Sequence, residues 1–384
     1  MRIALLALHF AEYAGRLALA LSAKHKVLLV LQAANARHEL SDDLRAELAR
    51  SVAVRFVELP RLRDPRLLGV NLGINRVLRD FDPEILHVQE YHPAFIGWAM
   101  LSFRRRIPVI LTVHDHIQHS GGIPKDGWKW KVVQWFRLKA HRVIVHGARA
   151  QAELHELDGR IAGRTDVIQH GILGRTDVGD DISGCEPGTF LFFGRIQPYK
   201  GLRYLLDACD VLRARGHAFR LVVAGTGPDL EPHRKRIAAA RWVELIDHYI
   251  PVTEVPGLFR RAMSVVLPYT DATQSGVTAM AFAFSRPVIA TRVGDVPQVV
   301  IDGQTGLIAP PRDGKALADA MERLLVDCGL RDALATGAGR FAQEHLSWPR
   351  IAEATCDTYQ RATSSHRLPG SARQPDGCRP LFRG

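Results

Sequence analysis

Two doubly wound α/β domains in series are predicted, on three observations. Thirteen short apolar runs recur along the chain, separated by amphipathic segments. The recurrence lapses once, over 171–188, where Gly, Asp and Pro dominate "GILGRTDVGDDISGCEPG". Glycines and cations cluster just after several runs, where open α/β sheets bind ligands. Continuous apolar strands alternating with helices indicate parallel sheets covered on both faces.

In the first series the strands are "RIALLAL", "KVLLVL", "VRFVEL", "EILHV", "PVILTV", "RVIVH" and "DVIQ", with helical patterns such as "EYAGRLALALSA" and "HPAFIGWAMLSF" between them. A run this short at the N-terminus, without a convincing cleavage site, is a first core strand rather than a signal peptide. The aperiodic stretch that follows is a linker. Alternation restarts with "TFLFFG", "FRLVVAG", "WVELI", "SVVLPY", "PVIAT" and "GLIAP", and helices at "LRYLLDACDVLRARG", "EVPGLFRRA" and "GKALADAMERLLVD" intervene. The expected units are 1–172, 188–346, a last helix over 347–363 and a disordered, Pro-, Gly- and Ser-rich tail over 364–384. On residue pattern alone the last helix either ends the second unit or reaches back to the first.

Composition narrows the class. At 384 residues, 47% hydrophobic, the chain buries a large core without staples. Its five cysteines are scattered and lack C-x-x-C spacing, which argues against a disulfide framework and a zinc site, and for a reducing compartment. No run reaches the roughly 18 apolar residues that span a bilayer, so a cytoplasmic protein is expected, or one peripheral on the inner face of the membrane. A net charge of +11 favours anionic partners, but no nucleic-acid motif accompanies it, so nucleic acid is not expected.

Five stretches carry chemistry. In "LFFGRIQPYKG", Arg195 and Lys200 flank a strand-to-helix turn and form a candidate anion clamp. In "YTDATQSGVTAMAFAF", Gln274, Ser275, Gly276 and Val277 open a short buried helix, with Thr273 or Ser275 as cap. Its free amides and positive dipole end suit a phosphate. "LVVAGTGP" adds Gly225 in a glycine-rich turn, weak evidence alone. "TVHDHIQHSGG" places His114 and Asp115 after a strand, a pair able to orient a hydroxyl or shuttle a proton; His116 and His119 invite a metal, but no ligand spacing supports one. In "KDGWKWKVVQWFRLKA", Trp128, Val132, Trp135 and Phe136 share a helical face amid Lys125, Lys129, Lys131, Arg137 and Lys139. That face suits either core packing or an anionic membrane surface, with Trp128, Lys129, Lys131 and Trp135 as the contacts.

In this order, "FFGRIQPYKG", "VVAGTGP", "VVLPY" and "SGV…PVIATRVGDVPQVVIDGQTGLIAPP" resemble the donor domain of glycosyltransferase family 4. "LHVQEYHP", "TVHD" and "VIVHG…QHGI" are similar to the N-terminal half of a bacterial branch of that family. The resemblance covers about residues 1–362 and implies a GT-B fold, two Rossmann-like domains facing a cleft. It implies a metal-independent transfer of sugar from a nucleotide-sugar to a saccharide or lipid-linked acceptor, with anomeric retention. No cofactor is implied. By position, Arg195 and Lys200 would hold the diphosphate, Gln274 to Val277 the sugar or phosphate, Ile250 the base, and His114 would lie beside the transferred sugar. The last helix would cross back to the first domain.

Departures accompany the likeness. The family commonly carries a glutamate, seven residues, then a second glutamate in the donor loop; those positions are Ala272 and Met280. Its glutamate in "VG-x-x-P-E" is Gln298, and its first-loop glycine pair is replaced by Ala11-Glu12-Tyr13-Ala14. Two readings follow: an active transferase in cell-surface polysaccharide or glycolipid synthesis, or a non-catalytic nucleotide-sugar-binding subunit of a glycan-assembly complex.

Overall fold

The computed structural model describes residues 1–60, 64–89, 96–114, 128–173, 184–251, 253–272 and 275–366; of 96 and 128–132 only the helical backbone is described. Seven strands, β1 (Arg2–Ala7), β2 (Lys26–Gln32), β3 (Ala53–Val57), β4 (Ile85–Gln89), β5 (Val109–Val113), β6 (Arg142–Val145) and β7 (Thr165–Val167), form one sheet. Six more, β8 (Thr189–Phe193), β9 (Arg220–Ala224), β10 (Val243–Ile246), β11 (Ser264–Leu267), β12 (Val288–Thr291) and β13 (Gly306–Ala309), form a second. The orders are β3-β2-β1-β4-β5-β6-β7 and β10-β9-β8-β11-β12-β13. Among the described residues every strand pair is parallel.

The strands follow from their residues. β4 and β5 are buried along their whole length, as central parallel strands covered by helices must be. β3 lies at an edge, and its alternating "AVRFV" leaves Phe56 half exposed. In each sheet the order reverses once, between β1 and β4 and between β8 and β11. Such switch points open a crevice beyond the strand ends, where ligands of open α/β sheets bind.

The Trp348–His366 helix packs on the first sheet, not the second. Ile351, Ala352, Tyr359 and Ala362 join the core beneath the Ala11–Ser22 helix. Its start is fixed by Trp348, whose Nε1 donates to the Ile172 carbonyl at 2.7 Å, and Gly171 leaves room for that indole: a Cβ there would sit 2.7 Å from it. The helix runs three residues further than the sequence pattern indicates, to His366, and the Ser365 hydroxyl donates to the Arg361 carbonyl at 2.9 Å. Residues 367–384, the rest of the expected tail, lie outside the described residues, as do 174–183 of the linker.

Candidate functional site in the cleft between the sheets

The second-sheet half of the site is built by two loops at its switch point. After β8, Gly194 turns with φ +100°, and its missing Cβ leaves the Lys200 ammonium its place: an added Cβ would lie 2.9 Å from Nζ. Gly201, at φ +70°, lets the chain pass the Pro268 carbonyl that ends β11. Gly225, at φ +135°, packs on the Gly194 carbonyl, where a Cβ would come within 2.1 Å. Gly225 therefore shapes the Arg195 loop from behind. The two loops are tied directly, Thr270 N donating to the Tyr199 carbonyl at 2.7 Å.

Lys200 is 8% exposed; its ammonium donates to the Phe193 carbonyl at 3.4 Å and lies over the Tyr269 ring. Burial, reinforced by Arg195, pushes its pKa down to about 8. Arg195 itself is exposed. A buried cation whose charge is costly, beside an exposed arginine, is an arrangement relieved by an anion.

The Gly276–Ala283 helix begins beside them. Ser275 stands at its N-cap position, but its side chain does not cap the helix as expected. The hydroxyl instead meets the Tyr269 hydroxyl at 3.3 Å. The first-turn amides therefore have no side-chain cap from Ser275 and face outward from the helix end. A Cβ on Gly276 would meet nothing within 4 Å, so space lies open there, whereas Val277 is buried. Ile250 is buried in the same core. Ala272 is 3% exposed and Met280 packs against that core, so the two positions where the family carries acids are apolar wall here. Gln274 and Thr273 lie outside the described residues.

The first-sheet half gathers aromatic rings. Strands β4, β5 and β6 and the chain after β7 bring His87, His114, His146 and His170 together. His114 Nε2 lies 3.1 Å from Gln89 Oε1, and its Nδ1 lies 3.0 Å from His146 Nε2. His146 Nδ1 lies 2.9 Å from the Ile168 carbonyl. His87 meets the Tyr359 hydroxyl at 2.7 Å and Thr112 Oγ1 at 2.8 Å. Phe10 stacks on His114 with centroids 4.0 Å apart, and it does so from a left-handed backbone (φ 61°, ψ 44°) that a bulky residue rarely adopts. Tyr13 meets His114, His146, His170 and Trp348 edge-on or tilted. Burial pushes the pKa of His87 and His146 down to about 3 and lowers that of His114 and His170, so the four rings are neutral at pH 7.

Sequence reasoning singled out His114 and missed its partners. Gln89, His146 and His170 lie in stretches that carry the family likeness, yet only the parallel register puts them side by side. Asp115, His116 and His119 lie outside the described residues. Among the described residues no group of three or more His, Cys, Asp or Glu is placed to hold a metal ion.

The halves meet at a cavity of about 20 Å³ lined by Gln169 and His170 on one side and Ser275, Thr278 and Asp295 on the other. Beside it, Asp295, 1% exposed, accepts from Arg149 N at 2.8 Å and Ala150 N at 3.3 Å, capping the Ala148–Leu157 helix of the first half. Gln298 donates to Asp295 at 2.7 Å and accepts from Ala148 N at 3.2 Å. The family's glutamate position thus faces the opposite domain.

The helix of the candidate membrane face differs from its expected pattern. Trp135 is exposed, with Lys139 over its ring at 4.6 Å, but Phe136 and Arg137 are buried, so Trp135 and Phe136 do not share one face. Adjacent residues on a helix lie about 100° apart, which splits them. Trp128, Lys129 and Lys131 belong to this helix, and their side chains lie outside the described residues. Among the described residues no helix is long and apolar enough to cross a membrane.

Two family models match: one described as Glycosyltransferase Family 4 over residues 11–172, and one described as Glycosyl transferases group 1 over 187–327. A D-inositol 3-phosphate glycosyltransferase of Saccharomonospora viridis is 32% identical over 364 residues, covering 84% of this chain and 82% of the relative. A glycogen synthase of Mycobacterium tuberculosis is 27% identical over 302 residues, covering 76% and 72%. Anabaena Alr3699/HepE in complex with UDP-glucose has the same fold, with a TM-score of 0.71 over 94% of this chain and 100% of that one, at 17% identity.

Proposed function

The chain belongs to glycosyltransferase family 4 and has the GT-B fold, and from that premise we propose that it moves a sugar from a nucleotide-sugar to a saccharide or lipid-linked acceptor, with anomeric retention. The observation that carries this reading is the Lys200 ammonium, buried beside Arg195 and facing the loop that opens the Gly276–Ala283 helix. Arg195, Lys200 and the amides of Gly276 and Val277 take the diphosphate, with Ser275 beside it and Gln274 next in the chain. These fixed charges and dipoles stabilise the leaving nucleoside diphosphate, so the reaction needs no metal or cofactor. Ile250 offers backbone to the base. His114, across the cleft, lies beside the transferred sugar, with Asp115 next in the chain.

The acceptor reading is a cell-surface polysaccharide or glycolipid intermediate. Exposed Trp135 with Lys139 beside it, on the helix that also carries Trp128, Lys129 and Lys131, supports a peripheral seat on an anionic inner membrane face.

A panel of UDP-, GDP- and ADP-sugars tests donor binding by thermal shift, since a true donor raises Tm by mass action. Labelled donor with membrane extract then tests transfer. No stabilisation by any member sinks the reading. A second reading, a non-catalytic donor-binding subunit, is favoured by the apolar Ala272 and Met280 where acids would contact the sugar. Stabilisation by a donor without transfer or hydrolysis would support it; transfer abolished by Arg195→Ala and Lys200→Ala, with the fold intact, would exclude it.

A further inference from the structure

We propose that His146 is a positioning residue that fixes His114 as the Nδ1–H tautomer, so that Nε2 of His114 meets the substrate as a hydrogen-bond acceptor and never as a donor. The inference deepens the placement of His114 beside the sugar and rests on it.

The argument starts at the Ile168 carbonyl. A carbonyl only accepts, so His146 Nδ1, 2.9 Å away, must carry a proton. A neutral His146 then has a lone pair on Nε2. That lone pair faces His114 Nδ1 at 3.0 Å, so His114 must donate from Nδ1. The proton on Nδ1 leaves a lone pair on His114 Nε2, turned toward Gln89. Burial and the neighbouring His170 keep His146 neutral, which closes the alternative in which both its nitrogens donate.

This polarity requires Gln89 to turn its amide half a rotation, NH₂ toward His114 Nε2 and Oε1 toward His87 Nε2, 3.2 Å away. The amide's two ends are alike in shape, and the hydrogen-bond network decides between them. The same polarity carries along the chain: with Gln89 Oε1 accepting, His87 holds its proton on Nε2, shared with Thr112 Oγ1, and its Nδ1 accepts from the Tyr359 hydroxyl. One backbone carbonyl thus sets the proton positions of His146, His114, Gln89 and His87.

The consequence is chemical selectivity. A group that replaces the Gln89 amide at His114 Nε2 must bring its own proton. A sugar hydroxyl does so; a carbonyl, a phosphate oxygen or a deoxy position does not.

Proton placement is directly observable. In the full-length protein labelled with ¹⁵N-histidine, two-bond ¹H–¹⁵N correlations at neutral pH report each ring's tautomer, assigned by His114→Gln and His146→Phe. Both His114 and His146 are expected as Nδ1–H, the less common form in water. His146→Phe removes the acceptor, and the His114 signal should pass to Nε2–H. Turnover with a donor found by the panel should then fall about tenfold in kcat, the size of one lost hydrogen bond, with KM little changed. A proton on His114 Nε2 in the unsubstituted protein, or an imidazolium at His146, overturns the proposal. If His146→Phe does not fold, His146→Gln supplies the assignment and the unsubstituted spectrum decides. Correct tautomers with no donor turnover would sink the functional reading and leave only the tautomer assignment standing.

Discussion

On the proposed diphosphate-binding role, Lys200 should set a pH range for donor binding. Its ammonium is held at about 8 by burial and by Arg195. A bound diphosphate favours the charged form and raises that value. Affinity is therefore greatest below pH 8 and falls as pH rises through it, by up to about tenfold per unit. Calorimetric titration of the nucleoside diphosphate at pH 6.5 and 9.5 checks the sign; equal affinity would show that Lys200 does not bind the anion. Lys200→Ala should weaken binding about tenfold to a hundredfold and abolish the pH dependence, since a charge-assisted hydrogen bond is worth about 1.5–3 kcal/mol. Gly225 is a second residue-scale requirement. Gly225→Ala forces a Cβ to 2.1 Å from the Gly194 carbonyl at a φ of +135°, so a destabilisation on the order of 3 kcal/mol is expected in urea unfolding. Arg195, Lys200 and the glycines were legible because a strand-to-loop turn places them locally. His114 was legible after its strand, but its partners His87, His146 and His170 were not, since they converge on it only once parallel strands are in register.

At the scale of elements, the thirteen strands were legible because each is a short apolar run bounded by turn residues, and parallel pairing buries both faces of the central strands. What spacing hides is how elements of different domains touch. Gln298 reads as a departure from the family element, yet with Asp295 it caps the Ala148–Leu157 helix across the cleft. Gly147 precedes that helix with φ −160°, backbone that any residue adopts, so space alone demands glycine there. An added Cβ would lie 2.1 Å from the Asp295 carboxylate. Gly147→Ala should therefore cost about 1–3 kcal/mol by overpacking, and Asp295→Ala about 1–2 kcal/mol by loss of a cap. In the double variant the clash disappears, so the costs should fall well short of additive. Additive costs in a double-mutant cycle would mean that the two residues do not meet.

On the scale of the whole molecule, the C-terminal helix joins both halves, leaving the second domain and ending in the core of the first. Its Tyr359 hydroxyl is bonded to His87 beneath the site, so the histidine network and the domain arrangement share one element. That sharing makes the fold sensitive to acid. Burial holds His87 and His146 neutral, each down to about 3, and His170 adds to the effect on His146. Unfolded histidines take up protons near 6.5, so below that pH the unfolded chain binds protons that the folded chain refuses. The stability these groups contribute is complete above 6.5 and is lost as pH falls toward 3. At pH 5 the two together should have cost about 4 kcal/mol, from roughly 1.4 kcal/mol per group per pH unit. Urea unfolding at pH 7.5 and 5.0, followed by the fluorescence of exposed Trp135 and half-buried Trp348, measures the loss. His87→Gln, which keeps a polar partner for Tyr359 but cannot titrate, should remove the His87 share, about 2 kcal/mol. Equal stability at both pH values, or an unchanged slope in His87→Gln, would show that the histidines are not held neutral by the fold.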